Sequence, residues 1–564
     1  MPDLLIFEAN RTYVIEEFNK GHFDYIEVVQ EVAQRDFFRF VASGGLLERL
    51  AASYPWPREK QEVPAWFYVV ADMAMRLHGN HAFHGFPWVV STGGLLAAFG
   101  PTLGTRHVDP ETGRLRIECP GFNKKNEYPR STPCHPDFLR KIASDTPVTS
   151  QLAWFNSDVQ KIFRQRRFFD KAGLFIGDGS YLFVPDNPKY EGSARMLFDE
   201  HNHPVGKEEH ARMSPAQASR CQWRRCYKLV SLLHTNETGE FFLYAGLAIV
   251  PGNAHESPVF WKMVDDFVAA VGKGVILHMI LDRGFIDGEA IGRAKLEHGI
   301  DTTIGVRRNM DAYRDAVGLA SLPDTVWQTH TRLEQPVEPP VKRHLLDASH
   351  AEPLRRREAK RQQTLARQRQ ECGLPEPVAP SQWIAKIDRT TSFESCPVPL
   401  DVVLCTSDKN PAADDAWAIM TTAQDATAAA PVDRYALRVG IEERHRHIKC
   451  FWDIADFKST DQALVVNQVV FTLLTYSLLQ QHLLRRGRKA LNKATKSRLI
   501  EELAPVAEHI TVFTDQYYAR FTTDEYTLMV MDVPECARSR LRARLNQRQR
   551  EFHLGLAQAQ APPA

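Results

Sequence analysis

The 564-residue sequence has no excess of charge of either sign and no pattern of paired cysteines. Lys and Arg number 70 and Asp and Glu number 69, so the formal net charge is +1. No overall field would attract nucleic acid, and any basic binding surface has to be local. The nine cysteines are scattered from Cys119 to Cys536 without an even framework of close spacings. This distribution excludes a disulfide-stapled domain and indicates reduced thiols in a cytosolic protein.

The sequence also lacks a secretory pattern and a long hydrophobic run free of polar residues. Its first 20 residues carry acids throughout and no basic flank before an apolar core, so we expect no export signal. The most apolar segment, residues 463–484, contains Asn467, Gln468 and Gln480, which favours a buried helix over a membrane span. We therefore expect a cytoplasmic protein with no membrane partner.

Strand and helix patterns alternate between residues 174 and 308. Apolar, β-rich runs predict strands at 174–185, 227–234, 241–250, 275–281 and 301–308, and residues 256–272 and 287–299 predict helices. The nearly unbroken hydrophobic run before Asp282 is typical of a strand covered on both faces, as in a parallel or mixed sheet. The order predicts an α/β fold in which Asp178 and Asp282 end two core strands.

The composition outside this core predicts further regions. Proline-rich and basic pieces after residue 308 indicate an inserted subdomain, because the strand pattern returns at 416–422. Basic runs lie at 353–369, 485–498 and 538–550, so any basic binding surface would be local to such segments. The predicted regions are a mainly helical N-terminal region (1–150), the first part of the α/β domain (151–308), the inserted subdomain (309–413), the second part of the α/β domain (414–484), and a basic C-terminal region with a disordered tail (485–564).

The segment 433–450 predicts an amphipathic helix. At about 100° per residue, a polar stripe about 60° wide contains Tyr435, Arg438, Glu442 and Lys449. A separate apolar stripe, formed by Leu437, Ile441 and Ile448, would seat the helix on a core. Glu443 lies off the polar stripe, so we expect Glu442 to be the functional carboxylate. An ordinary solvated face is the alternative, because such spacings are common on surface helices.

Asp178, Asp282 and Glu442 are the carboxylates that a fold of this kind would bring together. Three acids without a thiolate or imidazole partner suit Mg²⁺ or Mn²⁺. Two such ions about 3.5–4 Å apart would support an in-line phosphodiester displacement. The alternative is that Asp178 and Asp282 only cap helices or turns.

Basic and phenolic side chains accompany these acids. If the acids hold metal, Arg438 and Lys449 would hold a DNA phosphate and Tyr435 would donate to a phosphate oxygen. We add Arg283, which directly follows Asp282, to the predicted phosphate-binding residues.

Two histidine-containing groups are candidates for a different metal site. The first is His78, His81 and His84, and the second is His201, His203 and His210 with Cys221 and Cys226. The second group matches no standard zinc spacing. Solvated loop histidines are the alternative for both.

Three short islands of sequence resemble the bacterial insertion-sequence transposases that have an Asp-Asp-Glu active site. The islands are GDGSYL at 177–182, ILDRGFID at 280–287, and Tyr-x2-Arg-x3-Glu-x6-Lys at 435–449. More narrowly, they are similar to the branch with a Tyr-Arg-Glu-Lys signature and a β-rich insertion before the Glu. The similarity covers about 174–308 and 416–480. Val439-Gly440 and His445 depart from the usual continuation of the signature, which leaves a thinner apolar stripe.

This resemblance implies a ribonuclease H-like mixed sheet with flanking helices, interrupted by the inserted subdomain. It implies that Asp178, Asp282 and Glu442 are the catalytic acids and metal ligands, and that the signature residues bind DNA. The implied reaction cuts the terminal inverted repeats of a mobile element and joins the ends to target DNA. The implied setting is a homodimer on double-stranded DNA in a bacterial nucleoid.

Two alternatives remain open at this point. The first is a ribonuclease H-like nuclease without strand transfer, and the second is a non-catalytic, domesticated DNA-binding derivative. The products formed with target DNA distinguish the first alternative from a transposase. The presence of acids at all three positions disfavours the second.

Overall fold

The computed structural model describes nine main stretches of the chain. They are residues 8–29, 31–59, 63–91, 94–100, 103–108, 115–122, 132–331, 381–450 and 452–485, followed by residue 492, 509–515, 517–522 and isolated positions as far as Leu541. The basic run at 353–369, nearly all of 485–498 and 538–550, and the predicted disordered tail lie outside the described residues.

Helices dominate the described residues that precede the central sheet. They are α1 (Arg11–Asn19), α2 (Glu31–Ala42), α3 (Leu46–Ser53), α4 (Ala65–Leu77), α5 (Phe86–Ser91), α6 (Gly94–Phe99), α7 (Pro136–Asp145), α8 (Val148–Ala153) and α9 (Gln160–Gln165). The short strands among them are β1 (Glu8–Ala9), β2 (Tyr25–Val29), β3 (Thr105–Val108) and β4 (Leu115–Glu118). Pro64 directly precedes α4, where a fixed φ and a missing N–H cost the helix nothing.

The elements from 174 to 305 form the centre of a mixed sheet. They are β5 (Leu174–Val184), β6 (Ala194–Phe198), α10 (Lys207–Arg212), α11 (Pro215–Ala218), β7 (Gln222–Thr235), β8 (Leu243–Pro251), α12 (Glu256–Val271), β9 (His278–Leu281), α13 (Gly288–His298) and β10 (Asp301–Gly305). The strands lie in the order β8-β7-β5-β9-β10, and β6 pairs with the other half of β7.

The directions of these strands follow from their connections. β7 and β8 form an antiparallel hairpin, as predicted, and β7 is also antiparallel to β5. β9 is parallel to both β5 and β10. The crossover helices α12 and α13 return the chain to the end of the sheet at which these strands begin. This mixed sheet with helices is consistent with the ribonuclease H-like fold that the resemblance implies.

The strands from the predicted insertion continue the same sheet. The elements are α14 (Asp311–Ala320), β11 (Trp327–Thr331), β12 (Ser381–Thr390), β13 (Leu400–Thr406) and β14 (Trp417–Thr421). Beyond β10 the order is β14, β13, β12, β11, and each neighbouring pair is antiparallel. The described strands of 309–413 therefore join the central sheet through β14 and lengthen it beyond β10. The boundaries of a subdomain at 309 and 413 remain a prediction.

The last three described helices are α15 (Ala429–Ala436), α16 (Val439–Cys450) and α17 (Gln462–Arg485). By length and composition α17 would be able to span a membrane, but 89% of its most apolar window is buried inside the protein. It packs against α4 and β8. Its polar residues find partners there: Asn467 donates to Asp72 at 2.6 Å and accepts from the Tyr68 hydroxyl at 2.8 Å. The helix therefore belongs to the core, as predicted.

Strands from the two ends of the chain form a small separate sheet. β15 (His509–Thr514) and β16 (Tyr517–Thr522) pair with β2 and β1, in the order β1-β16-β15-β2. The small core on this sheet contains Phe18, Phe23 and Val512.

Candidate active site

Asp178 and Asp282 come directly after the last paired residues of two neighbouring parallel strands, β5 and β9. β5 and β9 pair from Leu174 opposite His278 to Gly177 opposite Leu281, and the two aspartates come next. β9 ends there, so the prediction that Asp282 follows the end of a core strand is confirmed. The prediction that Asp178 ends a strand is wrong, because β5 continues to Val184. What ends at Asp178 is the pairing of β5 with the shorter β9.

The glycines on either side of Asp178 allow α12 to approach the strand. A Cβ on Gly177 would overlap the ring of Phe260 and lie 2.7 Å from Leu281 Cδ2. A Cβ on Gly179 would overlap the carboxylate of Glu256, the first residue of α12. The Gly-Asp-Gly sequence therefore brings the start of α12 next to the first aspartate.

Asp178 lies in a poorly hydrated and negatively charged environment. Its side chain is 16% exposed, and its Oδ1 accepts a hydrogen bond from the Gly179 N–H at 2.9 Å. Burial is the main cause that raises the pKa of Asp178 to about 7; the charges of Asp282 and Glu256 add to the rise, while the Gly179 hydrogen bond and the charge of Arg438 oppose it. A cation beside this carboxyl would favour its ionised form.

Glu442 lies on the exposed side of α16 and pairs with Arg438. The Arg438 Nη2 donates to Glu442 Oε1 at 2.7 Å, and the glutamate side chain is 54% exposed. Glu443 instead faces Arg446 and His447, and its carboxylate lies 3.0 Å from the His447 Nε2. The neighbouring glutamates therefore have different partners, and Arg438 connects Glu442 to the aspartate pair.

The polar stripe spans two helices rather than the single predicted one. α15 ends at Ala436 and α16 begins at Val439. Between them the chain makes i→i−3 hydrogen bonds, including Arg438 N–H to Tyr435 C=O at 3.0 Å. The prediction of one continuous helix over 433–450 is therefore wrong. Gly440 supplies a physical reason: a Cβ there would lie 2.8 Å from Cζ of Phe242, so the chain is held close to that ring.

Tyr435 and Arg283 lie together at the end of β10. A Cβ on Gly305 would lie 2.8 Å from the Tyr435 hydroxyl and 3.1 Å from Cγ of Arg283, so both side chains cover that residue. Burial raises the pKa of Tyr435, and the charge of Asp282 also raises it. The partly exposed ring of Trp417 lies beside Tyr435, with 6.2 Å between the ring centroids.

Arg438 and Lys449 bring positive charge to the acids. Burial opposes the charge of Arg438, but Tyr435, Asp282, Glu442 and Asp178 together raise its pKa. Burial lowers the pKa of Lys449, and the charge of Asp178 opposes that shift. The structure thus places all four predicted phosphate-binding residues close to the predicted acids, and their role in binding DNA stays a prediction.

The chemistry of the acids fits a divalent metal. Carboxylate oxygens are the ligands that Mg²⁺ and Mn²⁺ prefer, and a bound cation would oppose the burial that mainly raises the pKa of Asp178. Among the described residues, no group of three or more Asp, Glu, His or Cys side chains is arranged closely enough to hold a metal ion. Asp178 and Asp282 each follow a residue of the pair Gly177–Leu281, whereas Glu442 forms an ion pair with Arg438.

The two histidine-containing groups do not form metal sites in the described part of the chain. His201 and His203 are exposed, and His203 instead contacts the Asp199 carboxylate at 3.3 Å. Cys226 is buried beside Met196. In the first group, His81 is buried, with 2.9 Å between its Nε2 and the carbonyl oxygen of Trp452. These histidines have structural or solvated environments.

Sequence reasoning missed two side chains at the site. His445 is buried on α16, and its Nε2 lies 3.6 Å from Asp178 Oδ2. The expectation of acids without an imidazole neighbour is therefore wrong. A signal was available, because residues three apart lie on the same side of a helix and His445 is three residues from Glu442. Glu256 was predicted only as a helix start, and its Oε2 lies 3.5 Å from the Lys228 ammonium.

A mixed sheet with adjacent aspartates, followed by a glutamate on a later helix, defines the class of DDE proteins. The family model described as a transposase DDE domain matches residues 192–478, just over half of the chain. This chain therefore belongs to the DDE transposase family. The matched residues include Asp282, Glu442 and the signature residues, and they begin after Asp178. No curated protein matches the chain.

Proposed function

We propose that this protein cuts the terminal inverted repeats of an insertion sequence and joins the ends to target DNA. We assign it to the branch with the Tyr-Arg-Glu-Lys signature. The observation that carries the proposal is the position of Asp178 and Asp282 directly after the last paired residues of β5 and β9. The charges of both aspartates act on Arg438 and help to raise its pKa.

Each residue of the site has a proposed role. Asp178, Asp282 and Glu442 hold divalent metal, for which their carboxylate oxygens are suited. When bound, two Mg²⁺ or Mn²⁺ ions supply activation of a water or 3′-hydroxyl and stabilisation of the departing oxygen. Arg438 and Lys449 hold the phosphate next to the scissile bond, and the hydroxyl of Tyr435 donates to a phosphate oxygen.

DNA contacts outside the site supply most of the affinity in this proposal. The N-terminal region (1–150) and the basic segments at 353–369, 485–498 and 538–550 bind the element ends, while Arg283, at the site itself, contacts the DNA backbone. Phosphate contacts of this kind release counterions, so binding should weaken steeply as salt is raised. A homodimer pairs two ends, in keeping with the two-fold symmetry common among oligomers.

Substitution of the acids tests the active site. We expect Asp178→Ala, Asp282→Ala and Glu442→Ala to lose cleavage of DNA that carries the element ends, in Mg²⁺ or Mn²⁺. Each change would remove several kcal/mol of transition-state stabilisation, which is roughly a thousandfold in rate. The rate is measured by single-turnover cleavage on labelled duplexes. The duplex ends are taken from inverted repeats found in the DNA flanking the gene.

Glu443→Ala is the matched control for Glu442→Ala. Its ion pair with Arg446 is partly exposed and should contribute less than about 1 kcal/mol of stability. Loss of its contact with the buried His447 ring should cost about 1–3 kcal/mol more. We expect its cleavage rate to match that of the wild type. Full activity in the three alanine variants would refute the assignment. Cleaved ends that never join target DNA would indicate a nuclease, and end binding without cleavage by the wild type would indicate a non-catalytic derivative.

A further inference from the structure

His445 is a buried imidazole aimed at the first aspartate of the site. It lies on α16, its side chain is 6% exposed, and its Nε2 is 3.6 Å from Asp178 Oδ2. Within the part of the chain that the structure describes, neither ring nitrogen has a hydrogen-bond partner. A separation of 3.6 Å is longer than a hydrogen bond, which for N–H···O is usually about 2.9–3.0 Å.

The neighbouring residues of α16 are bonded differently. Arg444 donates to the Asn492 carbonyl oxygen at 2.7 Å, and the His447 Nε2 lies 3.0 Å from the Glu443 carboxylate. A buried polar group without a partner is costly, so native proteins rarely keep one. The Asp178 carboxylate, 3.6 Å from the ring, is a polar group that could become the partner of His445.

We propose that His445 is the positioning residue of Asp178, an inference that rests on the proposed function. With metal bound, the His445 Nε2–H donates to Asp178 Oδ2, while the Gly179 N–H holds Oδ1 at 2.9 Å. The two bonds together would fix the rotation of the carboxylate. A shift of less than about 1 Å would close the 3.6 Å gap to a normal hydrogen bond.

Metal-binding carboxylates are commonly oriented by such outer hydrogen bonds, and loss of an outer partner typically lowers metal affinity about 10–100-fold. Arg438 and Lys449 also bring charge towards Asp178, but each is a cation that the proposed function assigns to phosphate. His445 lies closer to the hydrophobic interior and has no competing partner among the described side chains. His445 is therefore available to bond Asp178.

Direct measurement of metal binding tests the proposal in the full-length protein. Mn²⁺ is titrated into the wild type, His445→Leu and His445→Gln, and free Mn²⁺ is followed by electron paramagnetic resonance. We expect His445→Leu to raise the dissociation constant about 10–100-fold. Glutamine places an N–H near the position of Nε2, so His445→Gln should recover most of the affinity. His447→Leu, on the same helix, is the matched control and should bind Mn²⁺ as the wild type does.

Thermal unfolding of each variant separates positioning from folding. His445→Leu should keep the melting temperature of the wild type, because it removes an unpaired polar group from the interior. If His445→Leu does not fold, His445→Gln decides the question: a folded glutamine variant with wild-type affinity supports positioning, and one with strongly reduced affinity overturns it. Wild-type affinity in a folded His445→Leu protein also overturns the proposal. The proposal is also overturned if the spectrum of Mn²⁺ bound to the wild type shows that an imidazole nitrogen ligates the metal directly.

Asp178→Asn distinguishes this failure from failure of the proposed function. If Asp178→Asn binds Mn²⁺ and cleaves DNA like the wild type, the active-site assignment itself is wrong. If Asp178→Asn loses both activities while His445→Leu keeps them, the active site stands and only the positioning role is overturned.

Discussion

Arg438 faces all three predicted acids at once. Its charge interacts with Asp178 and Asp282, and it forms an ion pair with Glu442. A guanidinium offers several N–H groups in a planar fork, which suits a carboxylate and a phosphate equally well. The same side chain therefore balances the charge of the acids, and in the proposed function it would also bind a DNA phosphate.

Replacement of this arginine should weaken DNA binding in a salt-dependent way. We expect Arg438→Gln to lower affinity for end DNA and to reduce the slope of log K against log salt by about 1, because one phosphate contact is lost. Fluorescence anisotropy across a salt series measures both quantities. Arg446→Gln is the control, since Arg446 is 58% exposed and pairs with Glu443. Equal salt slopes for wild type and Arg438→Gln would contradict the predicted contact.

At the scale of single elements, the junction of α15 and α16 determines where the signature residues lie. At Leu437 and Arg438 the hydrogen bonds change to the i→i−3 pattern. Gly440 then allows α16 to pack against the Phe242 ring. Phe242 in turn lies under the guanidinium of Arg444, 4.9 Å from the ring centroid. A glycine that lowers helix propensity thus has a packing role here.

A matched pair of glycine substitutions tests this role. Gly440→Ala should destabilise the protein, because overpacking costs about 1–3 kcal/mol and exceeds the roughly 0.5–1 kcal/mol gained by replacing glycine in a helix. Gly318→Ala, in α14, should stabilise it by that smaller amount, because no described atom lies within 4 Å of the new Cβ. Urea unfolding gives both free energies. A stabilising Gly440→Ala would show that Phe242 moves aside without cost.

At the scale of the whole molecule, α17 joins the N-terminal helices to the central sheet. It packs on α4 on one side and on β8 on another. Its Asn467 is completely surrounded by protein and bonds both Tyr68 and Asp72, and Asp72 is also paired with Arg76 at 2.7 Å. Because these groups are desolvated, each depends on its partner.

Asn467→Ala should therefore destabilise the entire molecule. The change leaves the Tyr68 hydroxyl and one Asp72 oxygen without this partner in the interior, at a cost of about 1–3 kcal/mol, or more for the charged group. Gln462→Ala, at the partly exposed start of the same helix, should change stability by less than about 0.5 kcal/mol. Chemical denaturation followed by circular dichroism compares the two. A wild-type midpoint for Asn467→Ala would contradict the prediction.

Local patterns predicted many elements of the domain because their signals lie within a few residues. The hairpin of β7 and β8, the helices α12, α13 and α17, and a core strand ending before Asp282 follow from hydrophobic periodicity and turn residues. The extent of β5 also followed from such patterns, since a strand was predicted at 174–185. The position of Asp178 inside that strand, where the pairing with β9 ends, did not follow, because pairing partners are distant in sequence.

The candidate site divides in the same way. Residue types, spacings and the family resemblance led to the prediction of Asp178, Asp282 and Glu442 and to the preference for Glu442 over Glu443, because side-chain chemistry and helix rotation are local properties. Only the tertiary structure brought Glu256 beside Asp178 and buried His445 against it. It also broke the signature helix at Leu437 and joined the strands after residue 309 to the central sheet. These features depend on close packing between segments far apart in the chain, which no local pattern encodes.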